Sequence, residues 1–240
     1  MRARRPTDAN DPPRLALDAT SRESAVTGDP SAPAVTAADA EALERCVADG
    51  GVAIFPADTV YGLAIDPDDA AAVGRLNELK RRDPVQPSAV MFFSLRAALA
   101  TLGDLGPATR AAVERLLPGP VTLVLPNPGR RFPLACGDRP DRLGIRVPGL
   151  SGSLAPLATV TRPVLQSSAN LHGDADPRRL DEVPAAIRAA ADLVLDAGQL
   201  PGVASTVIEL SCYEDSGDYE ILREGAVSAA ELDRRLATTE

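Results

Sequence analysis

Two spacings of apolar residues alternate along the chain from about residue 36 onward. The short runs Val52–Phe55, Ala89–Phe93, Val121–Leu125, Leu143–Val147, Val164–Ser167, Leu193–Leu195, Thr206–Leu210 and Ile221–Leu222 are rich in branched residues and predict strands. Helical spacing lies between several of them. Thr36 reads as an N-cap with Asp39 in the first turn. Leu43, Cys46 and Val47 then recur on one face until Gly50-Gly51 stops the helix. A second helix, capped by Asp68 or Asp69, turns Val73, Leu76 and Leu79 to a core and ends in Lys80-Arg81-Arg82 before Pro84, where the helix dipole favours cations. Pro107–Leu117 starts on proline, Pro184–Ala191 is a further helix, and Ser228-x-x-Glu231 opens the last one. The segment PADTVYGL (56–63) reads as a tight passage leaving the first strand. Short strands interleaved with helices predict an α/β domain whose mixed sheet has about seven strands.

Residues 1–35 carry Pro, Asp, Ser, Thr and Ala without apolar periodicity, so a disordered or loosely attached arm is expected before a single domain over 36–240. Of the 240 residues, 45% are hydrophobic and 3% aromatic, enough for one sizeable core. With 34 acidic against 25 basic residues the net charge is −9, which argues against a surface that coats nucleic acid; any contact with RNA would be local. No run approaches the ~18 apolar residues of a membrane span, and the Arg-bearing start lacks an apolar stretch behind it, so a cytoplasmic protein without membrane contact is expected. Cys46, Cys136 and Cys212 stand apart and read as reduced, structural thiols. His172 is the only histidine, which leaves little from which to build a nucleophile triad or a multi-histidine metal site.

Nucleotide loops of the GxxxxGK[ST] and GxGxxG kinds are absent. Four groups of segments nevertheless stand out: PADTVYGL (56–63) with LKRRDPVQP (79–87); PGPVTLVLP (118–126); LGIRVP (143–148) with QSSAN (166–170); and ASTVIEL (204–210) with ILREGAVS (221–228). Taken alone, Lys80-x-Arg82 reads as a solvated helix end, and Thr122 satisfies a local hydrogen bond as readily as it touches a ligand. Arg146 differs, because an arginine between Ile145 and Val147 on an interior strand is costly to bury unless it meets an anion or a carboxylate.

In order and spacing these segments resemble the YrdC-like domain of threonylcarbamoyl-AMP synthases, over roughly residues 38 to 237. The resemblance implies a twisted mixed sheet flanked by helices around a concave substrate cleft, in the single-domain form of the family. It implies an L-threonylcarbamoyladenylate synthase, a nucleotidyltransferase that uses ATP, L-threonine and bicarbonate for the t6A modification of tRNA. Mg2+ would bridge the phosphates with no dedicated protein metal site, and tRNA or t6A-transferase proteins would be partners. Lys80 and Arg82 are the implied catalytic cations; with Thr122, Ser168, Asn170 and Arg223 they would bind ATP, while Thr59, Tyr61, Arg146 and Ser205 would hold the amino acid. Two positions depart from the pattern. Ala57 replaces a Thr, and Met91 stands where a substrate-side His is common. Weak use of L-threonine, or near-equal use of a more apolar amino acid, is therefore expected from the resemblance. The alternatives are a divergent paralogue that adenylates another carbamate and a module that binds double-stranded RNA or tRNA.

Overall fold

The computed structural model describes residues 33–237. The predicted arm up to residue 32 lies outside them. Its last residues are not loose, since Val35 is buried and its N–H donates to the Ser153 carbonyl at 3.1 Å. Thr36 then caps the first helix, α1 (Ala37–Ala48), through a reciprocal box with Asp39. The other helices are α2 (Ala70–Lys80), α3 (Leu95–Thr101), α4 (Pro107–Leu116), α5 (Ala185–Ala190), α6 (Tyr213–Ser216) and α7 (Ala229–Ala237). In α7 the Ser228 hydroxyl accepts from the Glu231 N–H, but the Glu231 carboxylate pairs with Arg234 and Arg235. Among the described residues no helix is long and apolar enough to cross a membrane.

The strands are β1 (Ala53–Pro56), β2 (Tyr61–Ile65), β3 (Ala89–Met91), β4 (Val121–Pro126), β5 (Arg142–Arg146), β6 (Val164–Ser168), β7 (Leu193–Val194), β8 (Thr206–Glu209) and β9 (Glu220–Arg223). They form one mixed sheet in the order β7-β1-β2-β6-β3-β5-β4-β8-β9. Among the described residues there are nine strands where about seven are expected; the eight strand runs of the sequence are all present, and β2 is the ninth, which the pattern missed. It pairs antiparallel with β1 after the reversal at residues 57–60, and both strands are buried along their whole length. Gly62 explains the disguise. A Cβ there would stand 3.0 Å from the Gln166 amide and 3.2 Å from the Phe55 ring, so a residue that usually weakens strands is required by close packing.

Strand periodicity sorts the sheet into two faces. The pairing register aligns Leu165, Val90, Ile145, Leu123 and Ile208 in one row across five strands, all buried, as the floor of the core. One residue along, Gln166, Ala89, Gly144, Val124 and Glu209 form the neighbouring row on the opposite face. Small side chains in the middle of that row leave a hollow, and a Cβ added at Gly144 would stand only 3.3 Å from the Ala89 Cα. The helix α2 shows a corresponding adjustment. Its buried stripe runs through Val73, Leu76, Asn77 and Lys80, whereas Leu79 is only partly buried. Two polar residues therefore occupy core-facing positions at the end of the helix that the pattern had assigned to Leu79.

Candidate functional site

The hollow opens into a cleft of about 800 Å³ whose walls come from β3, β4, β5, β6, β8 and β9 and from the loops after α2 and β6. Alternation explains how strand residues reach it: Thr122 and Val124, Gly144 and Arg146, and Gln166 and Ser168 are all spaced by two. Eight predicted site residues line it: Lys80, Arg82, Thr122, Arg146, Ser168, Asn170, Ser205 and Arg223. Six basic side chains, with Arg139 and Arg142 added, face three acidic ones, Asp174, Asp176 and Glu209. Arg142 and Glu209 form an ion pair. A basic concavity in a chain of net charge −9 focuses anions at one place rather than over the surface.

Lys80 is not the solvated helix end that its sequence suggests. Its side chain is buried, and its ammonium donates to the Ser168 carbonyl at 2.5 Å, the Asn170 carbonyl at 2.8 Å and Asn170 Oδ1 at 2.8 Å. Those three acceptors match the three donors of an ammonium, so Lys80 staples the end of α2 to the exit of β6 and acts on the cleft through its charge. Burial, with repulsion from Arg82, pulls its pKa down to about 8. Ser168 Oγ donates to Asn170 Oδ1 at 2.7 Å, and the Asn170 amide reaches the Asp174 carbonyl and Asp176.

Arg82 is half-buried rather than exposed. Its Nε and Nη2 donate to Asn77 Oδ1 at 3.1 and 2.7 Å, and Nη1 donates to Ser88 Oγ at 2.7 Å. The loop carrying it rests on the segment 135–138 through Ser88 N–H to the Ala135 carbonyl and Asp138 N–H to the Val85 carbonyl. Gly137, at φ 59°, makes that approach feasible, since a Cβ would fall 2.0 Å from the Val85 carbonyl oxygen.

Deeper in, Arg146 meets the partner that its burial demands. Nη2 donates to Asp58 Oδ1 at 2.6 Å and to Thr59 Oγ1 at 2.5 Å, while Asp58 Oδ2 accepts from the Gly149 N–H at 2.9 Å. Both Nη2 protons are thereby engaged. Nε is buried without a hydrogen-bond partner. A two-nitrogen fork from Arg146 to a carboxylate is thus open only if Nη2 gives up one of these bonds. Asp58, absent from the residues expected at the site, is the internal counter-ion of this arginine. Next to it Thr122 and Ser205 share a hydroxyl–hydroxyl bond of 2.8 Å, and Arg223 donates to the Ser205 carbonyl at 2.8 Å. Gly225 lets that end of the chain lie against residues 204–206, where a Cβ would fall 2.4 Å from the Ala204 carbonyl oxygen.

Two predicted amino-acid contacts do not line the cleft. Thr59 is fully buried and touches it only through Arg146. Tyr61 is wholly inside the core, its hydroxyl beside Asp196 at 2.7 Å and accepting from the Ala197 N–H at 3.0 Å. Burial raises its pKa well above the usual tyrosine value. Met91 stands in register with Arg146 and Ala57 follows β1, but both are fully covered and neither forms the wall. The two departures noted from the sequence therefore lie beneath the wall of the cleft.

An open mixed sheet flanked by helices, with a cation-lined hollow on one face, defines a mixed α/β protein. Residues 45–225 match the family described as "Telomere recombination", the Sua5/YciO/YrdC family, and the chain belongs to it. It is 33% identical over 188 residues to a threonylcarbamoyl-AMP synthase of Xanthomonas euvesicatoria, covering 76% of this chain and 97% of that relative. A threonylcarbamoyl-AMP synthase of Pyrococcus abyssi is 28% identical over 189 residues; the match takes in 78% of this chain but only 54% of that longer relative. The crystal structure of P. abyssi Sua5 complexed with L-threonine superposes with a TM-score of 0.72 at 25% identity, over 85% of this chain and 58% of the other.

Proposed function

We propose that this cleft forms threonylcarbamoyl-AMP and pyrophosphate from L-threonine, bicarbonate and ATP, a nucleotidyl transfer that serves the t6A modification of tRNA. The convergence of Lys80, Arg82, Arg146, Arg223, Ser168 and Asn170 on one hollow carries this reading. The amine of the amino acid takes up carbon dioxide as a carbamate. A carbamate oxygen attacks the α-phosphorus of ATP and pyrophosphate leaves. Such a transfer asks for positioning and for neutralisation of phosphate charge rather than for a protein nucleophile, which suits a chain with a single histidine. Arg82 and Arg223 present guanidinium donors to the phosphates, Lys80 adds charge from beneath, and Thr122 and Ser205 offer hydroxyls beside Arg146. Among the described residues no group of three or more His, Cys, Asp or Glu is placed to hold a metal. Any magnesium would arrive with the phosphates of ATP and help neutralise their charge. Pyrophosphate release with ATP and bicarbonate across the twenty amino acids tests the reading. Release that depends on L-threonine supports it, and release indifferent to any amino acid contradicts it. Strong preference for threonine over valine and serine would also show that Ala57 and Met91 leave selectivity intact.

Lys80 gives the reaction a pH dependence of definite sign. Its cation is lost as the pH rises through about 8, so ATP affinity falls above that pH. Titrating a non-hydrolysable ATP analogue from pH 6.5 to 9.5 measures this, and Lys80→Met should bind weakly with that step removed. An unchanged step in Lys80→Met would assign it to another group.

A further inference from the structure

We infer that Asn77 is a positioning residue for Arg82, one that fixes the guanidinium from a buried, neutral acceptor and so leaves its charge free for an anion in the cleft. The inference rests on the proposed function, because it gives Arg82 its anionic partner.

The placement begins on α2. Asn77 lies on the buried stripe between Leu76 and Lys80 and is 5% exposed, a costly place for an amide without a partner. Its Oδ1 accepts both Nε and Nη2 of Arg82, and its backbone carbonyl accepts the Arg82 N–H at 2.9 Å. Arg81 between them takes a left-handed conformation, φ 50°, which folds Arg82 back over the last turn of the helix. Asn77 therefore holds both the backbone and the side chain of Arg82. A guanidinium has five N–H donors. Asn77 takes two and Ser88 takes one, which leaves one on each terminal nitrogen for whatever occupies the cleft.

The chemistry of the holder matters as much as its position. Arg146, a few strands away, is held by the Asp58 carboxylate, which balances its charge inside the protein. Asn77 and Ser88 are uncharged and hold Arg82 without cancelling it. Burial without a counter-ion pulls the Arg82 pKa down from the usual arginine value, as expected for a cation that waits for its anion. An aspartate at position 77 would accept the same two bonds and neutralise the group.

Two substitutions separate holding from neutrality. Asn77→Leu keeps the branched shape and removes the acceptor, and Asn77→Asp keeps the acceptor and adds charge. Both should melt close to the parent. Both should weaken binding of a non-hydrolysable ATP analogue by roughly ten- to hundredfold, the worth of a hydrogen bond to a charged group, while L-threonine binding stays at the parent value. Parent affinity in Asn77→Leu overturns the positioning role, and parent affinity in Asn77→Asp overturns the need for a neutral holder. A fall in threonine and analogue binding together, with a lower melting temperature, marks a merely structural residue and also overturns it. Arg82→Ala measured alongside keeps the larger reading separate: if that protein binds the analogue as the parent does, the phosphate site itself is misassigned.

Discussion

Arg82→Ala is expected to reduce ATP-dependent pyrophosphate release by roughly two to three orders of magnitude, the effect of losing one preorganised donor at a developing anion. At the α2 end of the cleft Arg82 keeps donors that no described residue takes, whereas Lys80 gives its three to Ser168 and Asn170. Because Arg82 is half-buried and bonded to Asn77 and Ser88, the substitution also costs stability, about 1–3 kcal/mol, since it leaves those two buried groups without their donor. Steady-state turnover and a melting curve on the same preparation check both parts. Near-parent turnover in a folded Arg82→Ala protein would remove the phosphate site from this end of the cleft.

Arg146→Leu should be the most destabilising change in the site. The side chains of Arg146 and Asp58 are 3% and 7% exposed, so removing the cation strands a carboxylate with only the Gly149 N–H for compensation. Breaking a buried pair in this way costs about 3–5 kcal/mol. For a domain of this size that corresponds to a fall in melting temperature of roughly 10 °C. The double change Asp58→Leu with Arg146→Leu should recover much of that loss, because no unpaired charge remains. Amino-acid binding should stay lost in both. A double variant as unstable as the single one would show that packing, rather than charge, holds this corner together.

Much of this arrangement was legible in the sequence, and the exceptions have physical causes. Strand runs such as Val121–Leu125 and Leu143–Val147 declare themselves because their alternate residues face a core. Tyr61–Ile65 was hidden because Gly62 looks like a breaker until the neighbouring strands are seen to demand it. Arg146 could be recognised as a buried cation in need of an anion, yet the anion found is Asp58, brought in from 88 residues away by the sheet. Tyr61 sits in the same motif as Thr59 but points its hydroxyl to Asp196, a direction set by tertiary packing that no local pattern encodes. Asn77 did leave a signal. Polar residues at positions 77 and 80 on the stripe begun by Val73 and Leu76 mark a helix that buries hydrogen-bonding groups on purpose.

The central claim is that the cleft joins an amino-acid carbamate to AMP. Incubation with ATP, L-threonine and 13C-bicarbonate, followed by mass spectrometry of the nucleotides, addresses it directly. The account predicts threonylcarbamoyl-AMP carrying the label, formed together with pyrophosphate and absent when threonine or bicarbonate is withheld. Unlabelled AMP or ADP as the sole nucleotide products, in the same amount with and without threonine, would contradict it.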